Sequence, residues 1–69
     1  MKVVLRDTKV AKYFVGSGMW SGNVDEARDF GSSVWAIEAA MKMRQHELEL
    51  LLLFSDPGHE ISMPIRPLR

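Results

Sequence analysis

Two histidines in this chain each precede a glutamate, His46-Glu47 and His59-Glu60, and Asp56 lies close by in sequence. Imidazole and carboxylate groups are ligands for a divalent metal. The spacing, however, is not that of His-Glu-x-x-His, which sets two imidazoles one helical turn apart. Both histidines fall at expected element ends, where polar residues are ordinary. We expect no metal and no cofactor. Nucleophilic catalysis needs a hydroxyl beside a base with an orienting acid. Ser17, Ser21, Ser32, Ser33, Ser55 and Ser62 mostly suit turns or a cap, and no Gly-x-Ser-x-Gly elbow is present. Gly16-Ser17-Gly18 lacks the Gly-Lys-Ser/Thr close of a phosphate loop. Asp25-Glu26 suits a helix start, where negative charge is favourable anyway. These residues point away from an enzyme.

Trp35 is the residue with most to offer. On a helical wheel it shares a side with Ala39 and Lys42, away from Val34, Ile37 and Met41. Its ring either folds over the helix flank to seal the sheet or stands out as an anchor on a protein–protein surface, where Trp is enriched. A stacking role with nucleic acid would draw on Lys42, with Lys12, Tyr13 and Phe14 on the sheet.

The charges narrow the partners. Nine bases balance nine acids, for a net charge of zero. Such a balance lacks the cationic surplus that drives general nucleic-acid binding. The charges are nonetheless uneven. Lys2, Arg6, Lys9 and Lys12 crowd the first hairpin against Asp7 alone, while residues 25–60 are mostly acidic. There is no cysteine, so neither a disulfide nor a thiolate site can form, which fits a cytoplasmic setting. The longest apolar run, residues 50–54, is too short to span a bilayer. At 69 residues the chain is one small domain, expected over 1–65 with a loose tail over 66–69.

These residues need elements to hold them. Residues 32–44 read as an amphipathic helix. Ser32 and Ser33 are alternative N-caps, and residues 38–42 have high helix propensity. Val34, Ile37, Ala40 and Met41, with Leu48 beyond, fall on one face, which is expected to cover a sheet. Glu38 and Lys42 stand one turn apart on the other side, acid before base.

Residues 2–6 and 12–15 read as strands of an N-terminal antiparallel hairpin. Residues 16–23 then form a glycine-rich loop whose Trp20 plugs the edge of the core. Asn23-Val24-Asp25-Glu26 has capping-box character and predicts one helical turn, followed by an extended Phe30 that points inward. Residues 48–54 are ambiguous in periodicity. Asp56-Pro57-Gly58 signals a tight turn, and Ile61, Met63 and Ile65 alternate after it, so 48–54 is assigned to the first strand of a second hairpin. Pro64 cannot donate to a ladder, which suits an edge strand.

Small bacterial proteins of no assigned function share a pattern that this chain resembles over most of its length. Its residues here are Tyr13, Gly16 and Gly18, Trp20-Ser21, Glu26-Ala27, Phe30-Gly31-Ser32, Ala36 and Phe54-Ser55-Asp56-Pro57. Those proteins often carry a glycine between helix and late strand, where Gln45-His46-Glu47 stands here. The shared pattern looks like packing and turn chemistry, and the resemblance implies no known activity, substrate or cofactor.

The expectation is an α+β fold, a small antiparallel sheet of two hairpins with one helix on one face. With Leu48, Leu50, Leu52 and Phe54 turned to the helix, Leu51 and Leu53 would face outward on an uncovered apolar sheet face, or the Trp20 loop would cover it. The candidate interaction surface is Trp35, Phe14, Leu51 and Leu53. The leading function is a non-enzymatic interaction module that pairs with itself through a sheet face or strand edge, or with another protein. One alternative is a nucleic-acid accessory protein using the basic hairpin. The other is an enzyme subunit whose site a partner completes.

Overall fold

The structure is a computed structural model that describes residues 1–43, 47–55 and 58–65. Five antiparallel strands form one sheet: β1 (Lys2–Asp7), β2 (Lys12–Gly16), β3 (Met19–Ser21), β4 (Leu48–Leu53) and β5 (Glu60–Ile65). Their order is β3-β2-β1-β4-β5. One helix, α1 (Ser33–Met43), lies on one face over β1 and β4. The two hairpins and the helix are those read from the sequence.

Residues 48–53 run extended, as the turn signal after them demanded. Each residue of β1 from Lys2 to Asp7 pairs with one of β4, from Lys2↔Leu53 to Asp7↔Leu48. Val3 and Leu5 therefore share a face with Leu48 and Leu50, and all four are buried with Ala36 and Ala40 of α1. Val4 and Leu51 share the opposite face.

β3 is an addition to the expected fold. Gly16 pairs with Met19 across Ser17-Gly18, a two-residue connection with Gly18 at φ +70°. A Cβ on Gly18 would touch nothing within 4 Å, so a side chain there is opposed by backbone strain alone. Gly18→Ala is expected to lower stability by about 1–2 kcal/mol, read from urea unfolding midpoints.

The segment after β3 has a structural task. A single 3₁₀ turn, Val24–Glu26, is capped by Asn23, whose Oδ1 accepts the Asp25 N–H at 3.0 Å. Glu26 accepts the Ser21 hydroxyl instead of reaching back to Asn23. Residues 28–30 then slot between β1 and β2, whose register is limited to Arg6↔Tyr13 and Asp7↔Lys12. Arg28 N–H donates to Phe14 C=O, and Phe30 N–H donates to Val3 C=O, both at 2.8 Å. The Asp29 carboxylate accepts from the N–H groups of Val3, at 3.0 Å, and Gly31, at 2.9 Å. Phe30 does turn inward, stacking on Phe14 with ring centroids 5.8 Å apart.

Those two backbone donors, Val3 first, hold the Asp29 carboxyl below its usual value. A carboxyl depressed by folding adds stability that is fully present above its unfolded pKa, about 4, and is lost as pH falls through the lower folded value. The melting temperature of the parent should fall as pH drops below about 5, and more shallowly in Asp29→Asn. Parallel slopes in thermal scans would contradict this role for Asp29.

Ser32 is the cap of α1, accepting the Trp35 N–H at 3.3 Å. The helix sits on the sheet rotated from the expected face, of which Ala40 and, beyond the helix, Leu48 are buried as read. Ala36 and Ala40 are buried, whereas Val34, Ile37 and Met41 are 64%, 36% and 49% exposed. Two alanines one turn apart let the helix backbone approach the sheet closely. Bulkier side chains there would hold it away from Val3, Leu5 and Leu50.

The expected helix end, Arg44 to Leu48, is partly outside the described residues, as are Asp56 and Pro57 of the second turn and the tail at 66–69. Gly58, at φ +83°, takes the left-handed conformation the turn needs. The hairpin closes where Phe54 N–H donates to His59 C=O at 3.2 Å.

Candidate functional site

Small residues at the helix–sheet contact leave both flanks of α1 standing clear, and the flanks differ in chemistry. Successive helical residues turn by about 100°, so Trp35, Glu38, Ala39 and Lys42 form one flank and Val34, Ile37 and Met41 the other. The first flank faces Phe30, on the β2 side of β1. The second therefore faces β5.

On the β2 side, Arg28, Phe30, Trp35, Glu38, Ala39 and Lys42 line a solvent-open cleft of about 400 Å³. Phe30, the lining residue at its base, ends an aromatic row. Trp20 meets Phe14 edge-on at 5.5 Å, Phe14 stacks on Phe30, and the Arg28 guanidinium lies over the Phe30 ring at 5.8 Å. Such ring contacts hold Phe30 in place. Trp35 does not seal the sheet; it is 66% exposed on the wall of the cleft.

On the β5 side the apolar flank of α1 meets an open sheet edge. Leu52↔Ile61, Leu50↔Met63 and Leu48↔Ile65 put Ile61, Met63 and Ile65 on the helix face. The helix lies over β1 and β4, and Ile61 and Met63 remain 50% and 43% exposed. Phe54, His59, Glu60 and Ile61 line a second depression, of about 300 Å³, at the start of this strand. The Phe54–His59 bond fixes which pairs of the ladder are hydrogen-bonded. Pairs alternate in an antiparallel ladder, so Ile61, Met63 and Ile65 bond to β4. The N–H and C=O groups of Glu60 and Ser62 turn outward. Pro64 also occupies an outward position, which explains its place in a strand: its missing N–H removes no bond to β4.

On the opposite sheet face a small core is buried at the centre. Leu51 is buried with Val4 and Ala27, and Leu53 and Tyr13 pack at their margin. The cover is Ala27, just after the 3₁₀ turn, while Trp20 itself packs on the helix face. Beside Tyr13 the face becomes polar, because Arg6 pairs with Glu49 across β1 and β4 and lies over the Tyr13 ring at 5.9 Å. Partial burial opposes the Arg6 charge, but hydrogen bonds to Tyr13 and Glu49 and the Glu49 charge outweigh it and raise its pKa.

Of the four residues expected to form an interaction surface, Trp35 is thus exposed. Phe14 is half-buried beneath Phe30. Leu51 is corrected to a core residue, because Ala27 closes over it, and Leu53 is half-buried. Exposed apolar side chains instead gather on Ile61, Met63 and the helix flank of Val34, Ile37 and Met41. The signal for it was present in the alternation of residues 61–65 and in Ala36 and Ala40. Among the described residues no group of three or more His, Asp or Glu side chains is placed to hold a metal. No described helix is long and apolar enough to cross a membrane.

No family model, curated protein or solved structure matches this chain. Function is therefore read from the geometry of the two flanks.

Proposed function

We propose that this chain is a non-enzymatic interaction module of the cytoplasm that pairs with itself through the β5 edge. The observation that carries the reading is the coincidence of two unmet surfaces. Outward backbone groups of Glu60 and Ser62 run beside the exposed side chains of Ile61 and Met63, with Val34, Ile37 and Met41 on the facing helix flank. A free strand edge is a template for another strand, and a continuous apolar patch is seldom left open on a monomer. A second copy meets both needs at once, because antiparallel edges related by a two-fold axis are self-complementary.

Pro64 restricts the register. With the axis at Ser62, the two Ser62 residues exchange N–H···O=C bonds, and Glu60 N–H of each copy donates to the second copy's Pro64 C=O. Ile61 then lies opposite the second copy's Met63 on the helix side, joining the two apolar patches. Such pairing extends five strands to ten.

The basic-hairpin alternative is weakened by Arg6, which is held by Glu49 and Tyr13. Sedimentation velocity at micromolar concentration tests the proposal. A mass of two chains is expected. A single-chain mass that persists as concentration rises would overturn it.

A further inference from the structure

The cleft on the β2 side of α1 lies on the flank away from β5, so pairing through β5 leaves it open. Its lining selects among ligands by elimination. Trp35 presents exposed aromatic surface beside Phe30, which a bare inorganic anion does not use. Arg28 and Lys42 set two positive charges against the single carboxylate of Glu38, which disfavours a cationic ligand on the rings. What fits is a flat ring that carries an anionic group. Glu38 adds an acceptor for a ring amine or N–H. A volume of about 400 Å³ suits one such molecule rather than a duplex.

We propose that this cleft binds a nucleoside monophosphate, with the base against Trp35, its amine toward Glu38, and the phosphate between Arg28 and Lys42. The exposed indole then has a use independent of the protein's own folding. Base–aromatic stacking supplies affinity that tolerates different bases, and the two cations supply the requirement for phosphate. Affinity is modest, with Kd on the order of 10–100 μM, because the cleft is open on one side.

The test follows the Trp35 indole N–H in ¹⁵N-labelled full-length protein by NMR, with Trp20→Phe assigning the two indole signals. Adenosine monophosphate should move the Trp35 signal saturably. Adenosine and inorganic phosphate should each bind at least about tenfold more weakly. Arg28→Gln with Lys42→Gln should cost about tenfold or more in affinity while the remaining spectrum keeps its folded dispersion. An absent response at about 1 mM nucleotide, or equal affinity for adenosine and its monophosphate, would overturn the proposal. So would an eight-nucleotide single strand that binds far more tightly with a steep salt dependence, since the occupant would then be a nucleic-acid strand.

Discussion

Ala36→Glu will unfold this domain, whereas Val34→Glu, two residues earlier on the same helix, will leave it folded. Ala36 is fully buried between Val3, Leu5 and Leu50. A carboxylate placed there loses its hydration and finds no cation in that cluster, which costs several kcal/mol. Its volume also has to be accommodated where the helix approaches the sheet most closely. A domain of this size holds only roughly 4–10 kcal/mol in all, so the loss takes most of its stability. Val34 is 64% exposed in the single chain, so at concentrations too low for pairing a charge there stays in water. Its change should fall within about 0.5 kcal/mol, the range of ordinary surface substitutions. Circular dichroism melts of the two variants separate the observed docking face from the one that the hydrophobic pattern suggests. Equal destabilisation would mean that α1 sits on the sheet by Val34, Ile37 and Met41 after all.

Ile61→Lys and Met63→Lys together will convert the pair of chains to single chains without unfolding either. Both side chains stand on the edge strand, where a lysine ammonium reaches water in the single chain. In the proposed pair each lysine would be buried opposite the other copy's apolar patch. A buried anchor at such an interface is worth about 2 kcal/mol or more, and a two-fold pair carries each change twice, so association should weaken by about a millionfold if all four add, and at least about a thousandfold if each facing Ile61–Met63 contact acts as a unit. Concentration-dependent sedimentation gives the shift, and far-ultraviolet circular dichroism shows that the chain is still folded. An unchanged pairing constant would remove β5 from the interface.

The two hairpins, the helix and the extended Phe30 were legible in the sequence because each has a local signal. Val3-Val4-Leu5 and the alternating Ile61, Met63 and Ile65 mark strands; Ser32 marks the helix start; Gly58 marks a turn. The leucine run at 48–53 takes its assignment from the Pro57-Gly58 turn and the alternating strand beyond it, and the full β1–β4 ladder agrees. β3 was hidden because three residues carry too little periodicity, although Ser17-Gly18 is a turn signal. The helix's docking face was misplaced for a physical reason. Hydrophobicity ranks Val34, Ile37 and Met41 above alanine, yet close packing against a sheet selects the smallest side chains, Ala36 and Ala40. The interaction surface shifted for the same reason. Once the apolar helix flank is displaced toward β5, the exposed patch moves with it, and Leu51 on the far face is covered locally by Ala27. The cleft was only half visible. Trp35, Glu38 and Lys42 share a helix side by spacing, but Arg28 and Phe30 join them through backbone bonds from 28–30 to β1 and β2 that no local pattern announces.

The central claim is that the outward edge of β5 is where two chains meet, and the amide of Ser62 reports on it most directly. Its N–H points away from β4, and among the described residues of a single chain no strand lies beyond it. Hydrogen exchange at that amide, followed across dilution, should slow as the chains pair and quicken together with dissociation. Fast exchange at Ser62 under conditions where sedimentation shows two chains would contradict the account, because the chains would then be joined elsewhere.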